Sequence, residues 1–169
     1  MIIQDIIAPI SGKVFRIIDV PDRIFASRIV GDGVAIDPTE GMVVAPFDGV
    51  VRLIHSMNHL VGMRSKEGLD IIIHVGVDTI GMGGEGFERV VSPGSFVELG
   101  QPILRFDLGL VRLRAKSTLS PLVVTNGVVV QDMFGALVRA GKDVVMRVKM
   151  ADGKAGRDPY AARRVEEGG

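Results

Sequence analysis

The stretch Ile6-Ile7-Ala8-Pro9-Ile10-Ser11-Gly12-Lys13-Val14 returns 37 positions later as Val43-Val44-Ala45-Pro46-Phe47-Asp48-Gly49-Val50-Val51. Each copy reads as an apolar strand, a turn opened by Pro and closed by Gly, and a returning strand. Two copies predict a pseudo-symmetric β architecture, and two are too few for a solenoid. Outward from them, short apolar or alternating runs at 34–36, 50–54, 60–63, 69–75, 103–106 and 144–148 are mostly separated by Gly, Pro, Asp or Ser. That pattern predicts an all-β sandwich or barrel. Helix is minor: 21–28 and 108–115 suit short helices, and 131–139 has helical apolar spacing at Met133, Leu137 and Val138, weakened by Gly135.

Composition agrees. With 169 residues, 47% hydrophobic and no Trp, the core must be built mostly of Val, Ile and Leu, and Val and Ile favour strands. The 20 basic and 20 acidic side chains cancel, so no net field steers the chain to nucleic acid or an anionic bilayer. Cysteine is absent, which excludes disulfides, thiolate zinc sites and a Cys nucleophile and suits a reducing compartment. No apolar run reaches the ~20 residues of a membrane span, and the start lacks a signal peptide, so the expectation is a cytoplasmic protein without membrane insertion. Residues 1–150 read as one domain. Residues 151–169, rich in Gly, Ala and charge, read as a disordered tail or linker.

The chain has three histidines: His55, His59 and His74. A four-residue loop, Ser65-Lys66-Glu67-Gly68, would make residues 61–75 an antiparallel hairpin in which paired positions sum to 133. Arg64 then faces Leu69, and His59 faces His74 on one side, with Cβ atoms about 5 Å apart. By alternation Ile71, Ile73 and Val75 form an apolar row. Asp70, Ile72, His74, Gly76 and Asp78 form a partly wet one, with Gly76 leaving space beside an accessible imidazole pair.

Neutral imidazole, with a pKa near 6.5, attacks phosphorus without a separate base, and a second imidazole can donate to phosphoryl oxygens. Two histidines also begin a zinc site, the third ligand then coming from a carboxylate, such as a partner's. Spacing alone favours an incidental surface pair over a catalytic one, and it gives His55 an incidental surface role. Gly81-Met82-Gly83-Gly84 lacks the Lys-[Ser/Thr] of a phosphate loop and shapes a turn.

At these residues the chain resembles the glucose-type enzyme IIA domain of the bacterial phosphoenolpyruvate-dependent sugar phosphotransferase system. The matching motifs are Ile7-Ala8-Pro9-Ile10-Ser11-Gly12, Val20-Pro21-Asp22, Val30-Gly31-Asp32-Gly33, Asn58-His59, His74-Val75-Gly76-Val77-Asp78-Thr79, Gly84-Glu85-Gly86-Phe87 and Ala115-Lys116-Ser117-Thr118. They keep the family's order between Ile3 and Met150. His-x-Gly-x-Asp-Thr followed by Gly-Glu-Gly-Phe is the specific part.

The resemblance implies an antiparallel β-sandwich or flattened barrel, of the barrel-sandwich hybrid type, with short helical turns. It implies a phosphotransferase component in which His74 accepts phosphate from the phosphohistidine of HPr. The group passes to a cysteine of enzyme IIB, linked to the IIC sugar permease, and His59 stabilises it. Asp32, Asp78, Ile72 and Ile80 become partner-binding residues. Backbone N–H groups near Val75 and Gly76 are expected to hold phosphoryl oxygens. No cofactor is required. The alternative is a regulatory protein that binds metabolic enzymes or transporters according to its phosphorylation state, with His59 and His74 sharing a zinc ion with the partner. Met57 departs from a Thr frequent in the family, and His55 from an apolar or aromatic residue. Two further readings compete: a zinc hydrolase, and a lipoyl or biotinyl carrier at Val148-Lys149-Met150.

Overall fold

A computed structural model describes residues 3–150. Fourteen strands follow in order: β1 Ile3–Ile7, β2 Gly12–Arg16, β3 Asp32–Pro38, β4 Met42–Val44, β5 Gly49–Ile54, β6 Leu60–Ser65, β7 Asp70–His74, β8 Phe87–Arg89, β9 Phe96–Val97, β10 Pro102–Phe106, β11 Ser120–Val124, β12 Gly127–Asp132, β13 Leu137–Val138 and β14 Val144–Met150. Two short helices, α1 (Arg23–Ala26) and α2 (Leu108–Arg114), fall inside the stretches the sequence suits to helix. The expected tail lies outside the described residues.

The repeat organises the sandwich. Strand orders are β1-β14-β12, β4-β10-β8 and β13-β2-β3-β11-β7-β6-β5-β9, all antiparallel and none closed. The long order reads as a palindrome about the β11–β7 pair, so β1, β2 and β3 correspond to β4, β5 and β6. The two copies bond reciprocally: Ile7 N–H donates to Pro46 O (3.1 Å) and Val44 N–H to Pro9 O (2.8 Å). Their glycines are demanded by close approach. A Cβ on Gly12 would lie 1.9 Å from Asp37 O, and one on Gly49 2.2 Å from Arg64 O. A second repeat accompanies the first: Gly94-Ser95-Phe96-Val97-Glu98-Leu99-Gly100 matches Gly135-Ala136-Leu137-Val138-Arg139-Ala140-Gly141, 41 residues on. Gly94 N–H donates to Val51 O and Gly135 N–H to Val14 O, equivalent positions of the first repeat.

This second repeat overturns the helical reading of 131–139. Gly135 takes φ +84°, and Leu137 and Val138 pair with Lys13 and Gly12. Val138 enters the core and Leu137 stays exposed. Pairing to β2 outweighs the local apolar spacing.

The expected hairpin register is also off by one. Ser65 N–H donates to Leu69 O, and the Ser65 hydroxyl accepts from Leu69 N–H, so the loop is only Lys66-Glu67-Gly68, with Gly68 at φ +94°. A three-residue loop ending in a left-handed glycine is a standard hairpin closure. Arg64 therefore faces Asp70, and Leu60, not His59, faces His74.

The main core lies between the sheets, with Ile6, Ile36, Met63, Ile71, Ile73, Leu104, Leu122 and Met146 buried. A smaller cluster of Ile17, Val20, Phe25, Ala35, Val77 and Val123 covers the outer face of β3, β11 and β7, under α1. Ile72 packs against it. The row that alternation marks as wet is thus half covered, and Asp70 within it is 1% exposed, held bidentately by Arg64 at 2.7 and 2.8 Å.

Candidate active site

The turn between β5 and β6 brings His59 to His74 despite the shifted register. His55 N–H donates to Leu60 O (2.9 Å) and Asn58 N–H to His55 O (2.7 Å), and Asn58 adopts φ +63°. His55, Leu60 and His74 thus share one row across three strands, whereas His59 lies in the turn, free of strand alternation. Its carbonyl accepts Val75 N–H at 2.8 Å, tying the turn to the end of β7. Arg89 staples the turn from outside, donating from Nε to Asn58 Oδ1 (2.8 Å) and from Nη2 to His55 O (3.4 Å).

The His59 and His74 ring centroids lie 5.0 Å apart, edge to face at 78°. His59 is 2% exposed, so the pair is not openly accessible; only His74, half-buried, meets solvent substantially. His59 Nδ1 is buried without a hydrogen-bond partner. Burial first, then the neighbouring His74 and His55, hold the His59 pKa down to about 4. Burial also lowers that of His74, opposed by its bond to Gly76 O and by the Asp22 and Asp78 carboxylates. Both imidazoles are therefore neutral at pH 7.

His74 is fixed in one tautomer. Its Nδ1 lies 2.7 Å from Gly76 O. A carbonyl only accepts, so Nδ1 carries the proton and Nε2 keeps its lone pair. Phe25 packs edge-on against the ring at 5.2 Å. Gly76 is buried at φ +68°, and an added Cβ would lie 2.8 Å from Thr79 Cγ2, so it leaves no space beside His74; it turns its carbonyl onto the ring. Nor are the two expected amides available: Val75 N–H is bonded to His59 O, and Gly76 N–H to Ser120 Oγ at 3.0 Å.

Of the expected partner-binding residues, Asp78 and Ile80 are exposed at the 3-10 turn that follows His74. Ile72 is half covered by the outer cluster. The Asp32 carboxylate accepts from Gly33 N–H (3.0 Å) and Val129 N–H (3.2 Å) and lies 3.5 Å from Arg28 Nε, so it is engaged within the fold. His55, read as incidental, lies against His59 at 4.6 Å. Phe25, Asp22 and the Gly76 carbonyl were not anticipated as site groups. Only Pro21-Asp22, a helix-start signal realised as the Asp22 cap on Ile24 N–H, hinted that a segment packs there. Among the described residues no group of three or more His, Asp or Glu is disposed to hold a metal ion, and none of the helices is long and apolar enough to cross a membrane.

Residues 4–130 match the family model of the phosphoenolpyruvate-dependent sugar phosphotransferase system, EIIA 1. A glucose-specific EIIA component of Bacillus cereus is 47% identical over 151 residues, covering 87% of this chain and 91% of that protein. One from Haemophilus influenzae is 42% identical, covering 86% and 89%. The solved glucose permease IIA of Mycoplasma capricolum superposes with a TM-score of 0.81 at 29% identity, over 87% of this chain and 96% of that one. With a tautomerically fixed histidine at the end of β7 in an antiparallel sandwich, the match to the family model and these relatives place the protein in the EIIA 1 family of the sugar phosphotransferase system, as a phosphoryl-transfer component of sugar uptake.

Proposed function

We propose that His74 Nε2 is the phosphoacceptor. It takes the group from the phosphohistidine of HPr and gives it to an enzyme IIB cysteine that serves a IIC permease for glucose or a related sugar, in the cytoplasm. The observation that carries this is the bond from His74 Nδ1–H to Gly76 O, which leaves the Nε2 lone pair unused. That lone pair attacks phosphorus in line as the donor N–P bond breaks, and the released electron pair returns to the donor imidazole. In the second transfer a thiolate forms the S–P bond and the pair returns to His74.

His59 stabilises the phosphoryl group as a hydrogen-bond donor. A sealed, unpartnered N–H costs more than an unpartnered lone pair, so its buried Nδ1 keeps the lone pair and Nε2 carries the proton. Positioning and stabilisation are what this transfer requires of a protein. Incubation with enzyme I, HPr and phosphoenolpyruvate should give an acid-labile, base-stable phosphate on His74. His74→Gln should abolish it. His59→Gln should retain part of the uptake and impair onward transfer. Labelling of the double variant at the wild-type rate would refute the assignment.

Regulatory binding is supported by the same face. Phosphorylation adds about −1.5 to −2 charges to a surface where Ile80 and Asp78 stand exposed beside His74, so a partner docked there would sense the phosphorylation state. The donor set also suits a zinc ion shared with a partner carboxylate: His74 Nε2 offers its lone pair directly, whereas ligation by His59 Nε2 requires the proton to move to the buried Nδ1. Retention of every partner equally by the phosphorylated and free protein would count against regulation.

A further inference from the structure

We propose that His55 is a positioning residue for phosphoryl transfer, holding the His59 ring in the orientation in which it serves His74. The inference rests on the reading of His74 as phosphoacceptor and His59 as its stabilising donor.

Three observations carry it. The ring of His55 lies 4.6 Å from that of His59, tilted by 58°, while His59 meets His74 at 5.0 Å, so the three imidazoles form one contiguous run. His55 is itself fixed: its Nδ1 accepts the Met57 N–H at 3.0 Å, and its backbone closes the turn through Leu60 O and Asn58 N–H. His59, in contrast, has no hydrogen bond at its buried Nδ1. No polar contact there sets the rotation of the His59 ring about χ2, so its neighbours must set it by packing. One of them, His74, changes its own chemistry in every cycle. His55 does not, and it is the invariant wall against which His59 rests. Aromatic contacts of this kind favour particular mutual ring orientations, so the tilted contact with His55 selects one orientation of the His59 ring.

Two substitutions separate the ring from its bond. His55→Asn keeps an acceptor for Met57 N–H and removes the ring. His55→Phe keeps the ring and removes the acceptor. The assay is transfer from the phosphorylated protein to purified enzyme IIB, followed with varied IIB concentration, together with the ring 15N and 1H NMR signals of His59. His55→Asn should lower the maximal rate about tenfold, inside the ~100-fold that a 1 Å misplacement costs. The half-saturating IIB concentration should stay unchanged, and the His59 ring signals should broaden or report mixed tautomers. His55→Phe should restore the rate to within about twofold.

Wild-type rates and unmoved His59 signals in His55→Asn would overturn the proposal. Equal loss in both variants would do the same, by assigning the imidazole of His55 a chemical role of its own. His74→Gln is run alongside: phosphate on that variant would refute the phosphoacceptor assignment, whatever the His55 variants do.

Discussion

Replacing His59 by Gln should flatten the acid limb of the stability profile. His59 is 2% exposed, and burial followed by the neighbouring His74 and His55 holds its pKa to about 4, from an ordinary 6.5. In the unfolded chain the same imidazole takes its proton near pH 6.5. Between the two values the unfolded state binds more protons than the folded one, so stability rises with pH. The contribution of neutral His59 is complete above about pH 6.5 and is lost as pH falls to about 4. At about 1.36 kcal/mol per pKa unit, the displacement from 6.5 to about 4 corresponds to about 3 kcal/mol. His74 is displaced in the same direction and adds its slope to both proteins, which is why the variant is the right reference. Urea unfolding of both proteins from pH 4 to pH 8 at constant ionic strength measures the difference. Relative to His59→Gln, the wild type should lose about 3 kcal/mol between pH 7 and pH 4. Parallel profiles over that interval would refute the buried, neutral state assigned to His59.

Gly76→Ala should cost about 2–3 kcal/mol, because it forces a left-handed alanine and sets a methyl 2.8 Å from Thr79 Cγ2 and 3.1 Å from Ser117 O. Phosphorylation should slow as the Gly76 carbonyl leaves His74, and an unaltered melting temperature would count against this packing. Arg64→Met strips a buried carboxylate of its bidentate partner and should cost about 3–5 kcal/mol, read as a lower urea midpoint. Asn58→Ala combines a residue held at φ +63° with loss of the Arg89 bond. It should cost about 1–2 kcal/mol, and Asn58→Gly should cost less, the order being read by thermal melting.

The all-β class was legible because strand alternation and turn chemistry are local. The Pro–Gly repeat announced both halves of the pseudo-symmetric sandwich, while its companion at Gly94 and Gly135 was hidden by substitution, with Ser95, Glu98 and Leu99 opposite Ala136, Arg139 and Ala140. The segment 131–139 misled because apolar spacing at Met133, Leu137 and Val138 satisfies a helix as well as a short strand and its flanking turn. Only pairing with Lys13 and Gly12 decides between them.

His59 and His74 stand together for a reason different from the one their spacing suggests. Strand register would have put His59 on the opposite side from His74, and the β5–β6 turn releases it from that constraint. Sequence by itself determined that the chain folds as paired β units, since that depends on residue type and short-range periodicity, and its motifs pointed to His59 and His74 through the family they resemble. Tertiary structure alone decided that His59 is buried, that the Nδ1 of His74 is bonded to Gly76 O, that the Val75 and Gly76 amides are already engaged, and that His55 packs against His59. Those outcomes depend on a one-residue difference in loop length, made by the Ser65 hydroxyl and Gly68, and on contacts from Phe25, Ser120 and the Gly76 carbonyl. No periodicity along the chain encodes them.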